Sequence, residues 1–263
     1  MNILDKIIAD KKREIELKKS IISVKQLEGS DLFGRRTVSL SESIKTSSGI
    51  IAEHKRKSPS KATINSSFSV EEVVRGYEKA GASGISVLTD SKYFGGSLED
   101  LQLARASVQT PLLRKEFVMD EFQILEAKSN GADAILLIAS VLARTEIKQL
   151  SEFAQALSLE VLLEIHNVEE LEKAIMPSLD LIGVNNRNLK SFETSLKNSF
   201  DLADKIPNEF VKISESGIDA PNDILELKKY GFNGFLIGET FMKTENPGQT
   251  LENFIAEMDS KKY

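Results

Sequence analysis

The amino-acid sequence predicts an α/β fold in which eight parallel strands, each followed by a helix, close into a barrel behind an N-terminal helical extension. Three observations predict it. Eight short apolar or β-branched runs alternate with eight helix-like segments over about 210 residues. The runs are too apolar for a sheet with one wet face, so they read as parallel strands covered by helices. Eight is also the number that closes such a sheet into a (β/α)8 TIM barrel. A doubly wound open sheet is the alternative, but it would carry a Gly-rich fingerprint after its first strand, and the sequence has none there.

Residues 3–19 place Leu4, Ile7, Ile8 and Ile15 near helical spacing among many Lys and Glu, which gives an amphipathic helix. A second helical patch, Leu40 to Lys45, precedes Gly49. Residues 1–48 thus form an extension whose place is open: a lid, a cap under the barrel, or an oligomer contact. The barrel takes residues 49–263, and the chain 1–263 reads as a single domain. Strands are expected at Ile50–Ala52, Gly84–Leu88, Pro111–Leu113, Ala134–Ala139, Val161–Ile165, Leu181–Val184, Phe210–Ile213 and Gly234–Ile237. Helices are expected at Val70–Ala80, Leu98–Ser107, Glu121–Asn130, Arg144–Leu157, Val168–Ile175, Leu196–Ile206, Asn222–Tyr230 and Leu251–Asp259. Gly81, Gly131 and Gly231 stand just past three of these, where a helix end favours glycine.

At 263 residues, 41% apolar and 28% charged, the chain can bury a large core. Its net charge of −6, with no basic stripe interleaved with aromatics, argues against nucleic acid as a partner. Any anion site must then be built locally from Lys, Arg and backbone N–H groups. The absence of cysteine excludes disulfides, thiolate nucleophiles and Cys-ligated zinc, and fits a reducing, cytoplasmic setting. Two histidines, His54 and His166, are too few for a His-rich metal site. Asp5, Lys6, Asp10, Lys11 and Lys12 leave no signal-peptide core near the start. The longest apolar run, Ala134 to Ala143, is too short to span a membrane.

A parallel barrel carries its chemistry at the C-terminal ends of its strands. Strand one ends with Glu53 and Lys55, two apart and so on one face. Strand three ends with Lys115 and Glu116, and strand five with Glu164. Strand six ends with Asn185, Asn186 and Arg187, strand seven with Glu215 and Ser216, and strand eight with Gly238 and Glu239. Ion-pair networks do occur in barrel mouths, but this concentration of charge exceeds what a structural core needs. Ser216-Gly217 and Gly238-Glu239 put glycines at the exits of strands seven and eight, where backbone N–H groups can approach a phosphate. Strand alternation turns His54 away from the barrel interior. His166 could face the mouth, but reads more simply as the start of the next helix with Asn167. Phe117, Met119 and Phe122 read as pocket walls.

These blocks together resemble the indole-3-glycerol phosphate synthase family. The resemblance rests on Ile51-Ala52-Glu53-His54-Lys55-Arg56-Lys57-Ser58-Pro59-Ser60, on Val87 to Ser97, and on Leu113-Arg114-Lys115-Glu116-Phe117. It continues through Glu164-Ile165, Ile182 to Leu189, Ser214-Glu215-Ser216-Gly217-Ile218 and Leu236-Ile237-Gly238-Glu239. It implies a carboxy-lyase of tryptophan biosynthesis that closes the ring of 1-(2-carboxyphenylamino)-1-deoxyribulose 5-phosphate, with loss of CO2 and water. By resemblance Lys115 is the general acid on the ketone oxygen, and burial would lower its pKa toward the working range. Lys55 would bind the departing carboxylate, and Glu53 and Glu164 would share the acid–base steps. Asn185 and Arg187 would orient the substrate, and Glu215 would hold the lysines and substrate hydroxyls. Ser58, Ser216, Gly217, Gly238 and Glu239 would grip the phosphate, Glu239 through its backbone N–H alone. Phe117 would line the pocket.

No cofactor or metal is implied. The expected partner is a small phosphorylated substrate, with a monomer expected and a homodimer the alternative. The fused phosphoribosylanthranilate isomerase of some relatives is not expected. Ala62 and His54 depart from the family pattern without touching a catalytic position. The nearest rival is another phosphate-binding barrel, an isomerase of phosphoribosyl-aminoimidazole or phosphoribosylanthranilate type. These need a different acid–base pair, and the latter would lead with a cysteine after strand one, where this chain has none. A barrel that only binds or scaffolds would show a broken mouth.

Overall fold

The computed structural model describes residues 3–59, 61, 63–65, 67–188 and 193–261; Ser60, Ala62 and Leu189 lie outside this set. Eight strands, β1 Ile50–His54, β2 Gly84–Leu88, β3 Leu112–Lys115, β4 Ala134–Ile138, β5 Glu160–Ile165, β6 Leu181–Asn185, β7 Val211–Glu215 and β8 Gly234–Ile237, close in sequence order into a barrel. Every neighbouring pair is parallel, and β8 returns to β1 through Leu236 beside Ile51. The strands run one or two residues further toward the mouth than apolar patterning expects at β1, β3, β6 and β7. Their last residues are charged or polar: His54, Lys115, Asn185 and Glu215.

The helices in chain order are α1 Ile3–Ile21, α2 Val24–Glu28, α3 Leu40–Thr46, α4 Val70–Lys79, α5 Ser91–Phe94, α6 Leu98–Ser107 and α7 Glu121–Ser129. Then come α8 Arg144–Ala156, α9 Val168–Ala174, α10 Lys197–Leu202, α11 Pro221–Lys229, α12 Glu239–Met242 and α13 Pro247–Ser260. The helix expected over 196–206 is split, α10 passing into a 3-10 turn at Ala203–Lys205. The final helix starts earlier than its apolar pattern, because Pro247 at its first turn needs no donor and Asn246 caps it. Gly81, Gly131 and Gly231 adopt φ of +90°, +87° and +83°, the left-handed region that ends a helix.

Two apolar layers result from the period of two along each strand. Ile50, Ala52, Ile85, Val87, Ile135, Leu137 and Leu163 face the helices, and Ile51, Leu113, Leu136, Leu162, Leu181, Ile213 and Leu236 fill the barrel. The extension touches both ends of that inner core. Its α3 inserts Leu40 and Ile44 into the bottom, where a Cβ on Gly84 would collide with Leu40. Ser39 and Ser41 fix α3 by hydrogen bonding to the Glu160 carboxylate at 2.6 and 2.8 Å. At the other end Ile3, Leu4 and Ile7 of α1 lie over the mouth. Of the roles open to the extension, it serves as a bottom cap and also as a wall of the mouth.

Candidate active site

A cavity of about 180 Å³ opens at the C-terminal ends of the strands. Eleven of the thirteen residues expected at the site line it: Glu53, Lys55, Ser58, Lys115, Phe117, Glu164, Asn185, Arg187, Glu215, Ser216 and Glu239. Gly217 and Gly238 sit beside it in the turns after β7 and β8. Ile3, Leu4, Ile7, Phe94, Leu136 and Ile138 complete an apolar wall that strand-exit reasoning misses. The α1 contribution has a sequence signal, an apolar face, but that face does not say where the helix docks.

The charged groups alternate around the ring. Lys55 Nζ lies 2.6 Å from Glu53 Oε1. Lys115 Nζ lies 2.5 Å from Glu215 Oε2 and 3.4 Å from Glu164 Oε2. Two glycines make this crowding possible. A Cβ on Gly183 would collide with Glu215 Oε1, and one on Gly238 would stand 2.7 Å from Glu53 Oε1. Glu53, Glu164 and Glu215 are 3%, 5% and 1% exposed, so the ring is desolvated and its charges act at short range.

Burial was expected to lower the Lys115 pKa, and the structure reverses that expectation. Burial does oppose the charge, but Glu215, Glu164 and Glu53 outweigh it and hold the ammonium charged well above its ordinary value. Burial pushes the Glu215 carboxyl up to about 7, with Lys115 opposing and Glu164 reinforcing the rise. Burial also opposes the Glu53 charge, but Lys55 and Lys115 prevail and its pKa falls below the usual carboxylate value. Glu215 Oε1 is buried without a hydrogen-bond partner among the described residues, so one acceptor faces inward unused.

On the opposite side Ser216 and Gly217 take φ of +67° and +73° in succession. This turn is braced by buried Asn186, whose Nδ2 donates to Ser214 Oγ at 2.9 Å and to the Ser216 carbonyl at 3.1 Å. The first intrahelical bond of α12 runs from Phe241 N–H to the Gly238 carbonyl, leaving the Gly238 and Glu239 N–H groups ahead of it. The Glu239 carboxylate turns to Lys61 and lies 4.0 Å from Arg187 Nη2. Ser58 pairs with Lys61 in a short antiparallel bridge over the same edge. Arg187 is positioned by its N–H donating to Asn185 Oδ1 at 2.9 Å.

The two histidines separate. His54 is buried under the helix layer as alternation requires, and burial drives its pKa down to about 4, so it is neutral near pH 7. His166 precedes α9 as expected, yet its ring also reaches the ring of charge: Nε2 stands 3.5 Å from Glu164 Oε1.

Comparison with known proteins adds to this geometry. Residues 4–254 match the family model described as indole-3-glycerol phosphate synthase. The indole-3-glycerol phosphate synthase of Bacteroides thetaiotaomicron is 50% identical over 259 residues, covering 97% of this chain and 98% of that one. That of Polynucleobacter asymbioticus is 42% identical over 265 residues, covering 97% and 99%. Among solved structures, a mutant tryptophan synthase α-subunit from the hyperthermophile Pyrococcus furiosus superposes with a TM-score of 0.62 over 81% of this chain and 98% of that one. At 15% identity it bears on the barrel fold alone.

Proposed function

The chain belongs to the indole-3-glycerol phosphate synthase family and carries its lyase activity, and we propose that the charged ring of the mouth divides the reaction among Lys115, Lys55, Glu164 and Glu53. The enzyme converts 1-(2-carboxyphenylamino)-1-deoxyribulose 5-phosphate to indole-3-glycerol phosphate, CO2 and water. The observation that carries the division of labour is the placement of Lys115 between Glu215 and Glu164 in a desolvated mouth.

The Lys115 ammonium gives its proton to the ketone oxygen as the carboxyl-bearing aromatic carbon attacks. Its high pKa suits a group that must be charged when substrate arrives, and the growing alkoxide supplies the driving force. Lys55, released from Glu53, holds the aromatic carboxylate until rearomatisation expels it as CO2. Glu164 and Glu53 then take the methylene proton and protonate the leaving hydroxyl between them. Glu215 fixes Lys115, and its unused Oε1 accepts a hydroxyl of the sugar chain. Asn185 and Arg187 orient the substrate, whose aromatic end rests on the apolar wall of Phe117, Phe94 and α1. Phe94 and Phe117 already stand with ring centroids 6.1 Å apart.

The phosphate is received at the opposite edge by Ser58, by Ser216 and by the N–H groups of Gly217, Gly238 and Glu239. Glu239 contributes main chain only, since its carboxylate is engaged by Lys61. All of these groups come from one chain, so a monomer suffices. We read residues 1–263 as one functional unit, a barrel with its extension, working in the cytosol. Among the described residues no helix is long and apolar enough to cross a membrane.

The test is turnover of the carboxyphenylamino substrate followed by indole fluorescence. Lys115→Ala should abolish measurable turnover. Glu164→Gln should lower kcat by roughly two to four orders of magnitude, the range of an acid–base group, with KM nearly unchanged. A Lys115→Ala enzyme as fast as wild type would remove the assignment of the acid.

A further inference from the structure

Ring closure by this enzyme consumes a proton at neutral pH. The ketone oxygen leaves as water and takes up two protons. The methylene carbon beside the nitrogen returns one, and the ionised carboxylate departs as CO2 and supplies none. One proton per turnover must therefore enter from solvent, into a chamber roofed by Ile3, Leu4 and Ile7.

We propose that His166, held by Glu170, is the inlet that passes this proton to Glu164. His166 follows β5 directly, and its side chain is 11% exposed. Its Nδ1 stands 3.2 Å from Glu170 Oε2, and its backbone N–H donates to the same oxygen at 2.8 Å. Glu170 is fixed in turn by Asn167, whose Nδ2 donates to Oε1 at 3.2 Å while Oδ1 accepts the Glu170 N–H at 2.8 Å. That leaves Nε2 facing Glu164 Oε1 at 3.5 Å, with no hydrogen-bond partner among the described residues. The other Glu164 oxygen faces Lys115.

Two cavities meet across this pair. Glu164 lines only the reaction chamber and His166, Asn167 and Glu170 line only a polar groove of about 720 Å³ beside it, the two sharing Leu4, Asn185 and Arg187. The groups facing the imidazole are carboxylates from three elements, Glu164 of β5, Glu170 of α9 and Glu215 of β7, with Lys115 of β3 beyond Glu164. Burial opposes the imidazolium, but the Glu170 hydrogen bond and these charges outweigh it, so His166 titrates above its ordinary 6.5. The same contacts favour the imidazolium over the neutral ring. Transfer of Nε2–H to Glu164 leaves the Nδ1–H tautomer that Glu170 stabilises, and a proton from the groove restores the ring. His166 acts through Glu164 and touches no substrate atom. The inference rests on the acid–base role given to Glu164.

Steady-state turnover of His166→Ala and His166→Gln, with and without added imidazole, tests it. Both variants should lose about 10²-fold in kcat, the low end of an acid–base contribution, while KM stays within about two-fold. In His166→Ala the loss should be relieved in proportion to the imidazolium concentration. Glu170→Gln should fall in the same direction by less. Wild-type kcat in either His166 variant would overturn the inlet, as would a loss that imidazole does not relieve, or one confined to KM. Glu164→Gln separates the two readings. If it is slow while both His166 variants are fast, the inlet alone fails; if Glu164→Gln is fast, the role of Glu164 itself fails.

Discussion

Glu215 is 1% exposed, one of its oxygens lacks a hydrogen-bond partner among the described residues, and burial pushes its carboxyl up to about 7 even with Lys115 at 2.5 Å. Its ordinary value is 4.5. Between these two values the folded chain keeps a proton that the unfolded chain has released. Stability therefore falls as pH rises through that window, and the full loss persists above about 7. Glu215→Gln removes this titration without changing shape, and it leaves Lys115 with Glu164 and Glu53. The variant should melt higher than wild type above neutrality, with the gain shrinking toward nothing as pH falls to the ordinary carboxylate range. Its turnover should drop. Thermal unfolding across pH checks it, and a gain independent of pH would contradict the assigned cause. The identity of such residues is legible in sequence, because a strand's period of two puts Glu53 and Lys55 on one face and sends His54 to the other. Their electrostatics are not: the upward shift of Lys115 depends on Glu215, 100 positions away along the chain.

Helix α1 marks the limit of what an element's own pattern reveals. Ile7 and Ile15 are buried at helical spacing as expected, but so is Lys11, at 2% exposure, on a helix whose charges read as a solvated face. Lys11 Nζ lies 2.7 Å from Glu14, 3.0 Å from Asp90 and 3.2 Å from Glu116. Burial opposes its charge, yet Glu116, Glu14 and Asp90 raise its pKa above the usual lysine value. This ion cluster bolts α1 to the loops after β2 and β3, next to the apolar wall that α1 gives the mouth. The eight strands were readable because each is a local apolar run. The docking of α1 was not, because its partners lie some eighty to a hundred residues on. Lys11→Met should take the ammonium from two buried carboxylates, leaving Asp90 its N-cap hydrogen bonds and Glu116 those from Thr89 and Phe117, at a cost of up to about 3–5 kcal/mol if α1 stays docked. Release of α1 is the cheaper response. Limited proteolysis should then cut within residues 3–21 before the barrel is touched, and KM should rise more than kcat falls. A variant with wild-type KM and protease resistance would show that the cluster does not hold the helix.

At the scale of the whole molecule, one extension serves both ends of the barrel. From the mouth it descends along α7, with Lys18 on Glu126 at 3.2 Å and Lys19 on Asp120 at 2.8 Å. It then turns under the barrel, where Arg35 Nη2 donates to Asp133 Oδ1 at 2.6 Å. There α3 plugs the inner core with Leu40 and Ile44, at 0% and 2% exposure. The strands have opposite duties at their two ends: their C-terminal ends hold charges that are costly to bury, and their N-terminal ends are sealed by apolar packing that offsets some of that cost. Leu40→Ala should open a cavity at the sealed end and destabilise the chain by roughly 2–5 kcal/mol. The charged ring of the mouth hangs from the other ends of the same strands and is fixed by its own ion pairs and by Gly183 and Gly238, none of which touches Leu40. So kcat and KM should stay within about two-fold of wild type at temperatures where the variant is folded. Denaturant unfolding and steady-state kinetics on one preparation check both halves. A stable but slow Leu40→Ala enzyme would mean that the bottom plug governs the geometry of the mouth, and that the separation of duties along the barrel axis is wrong.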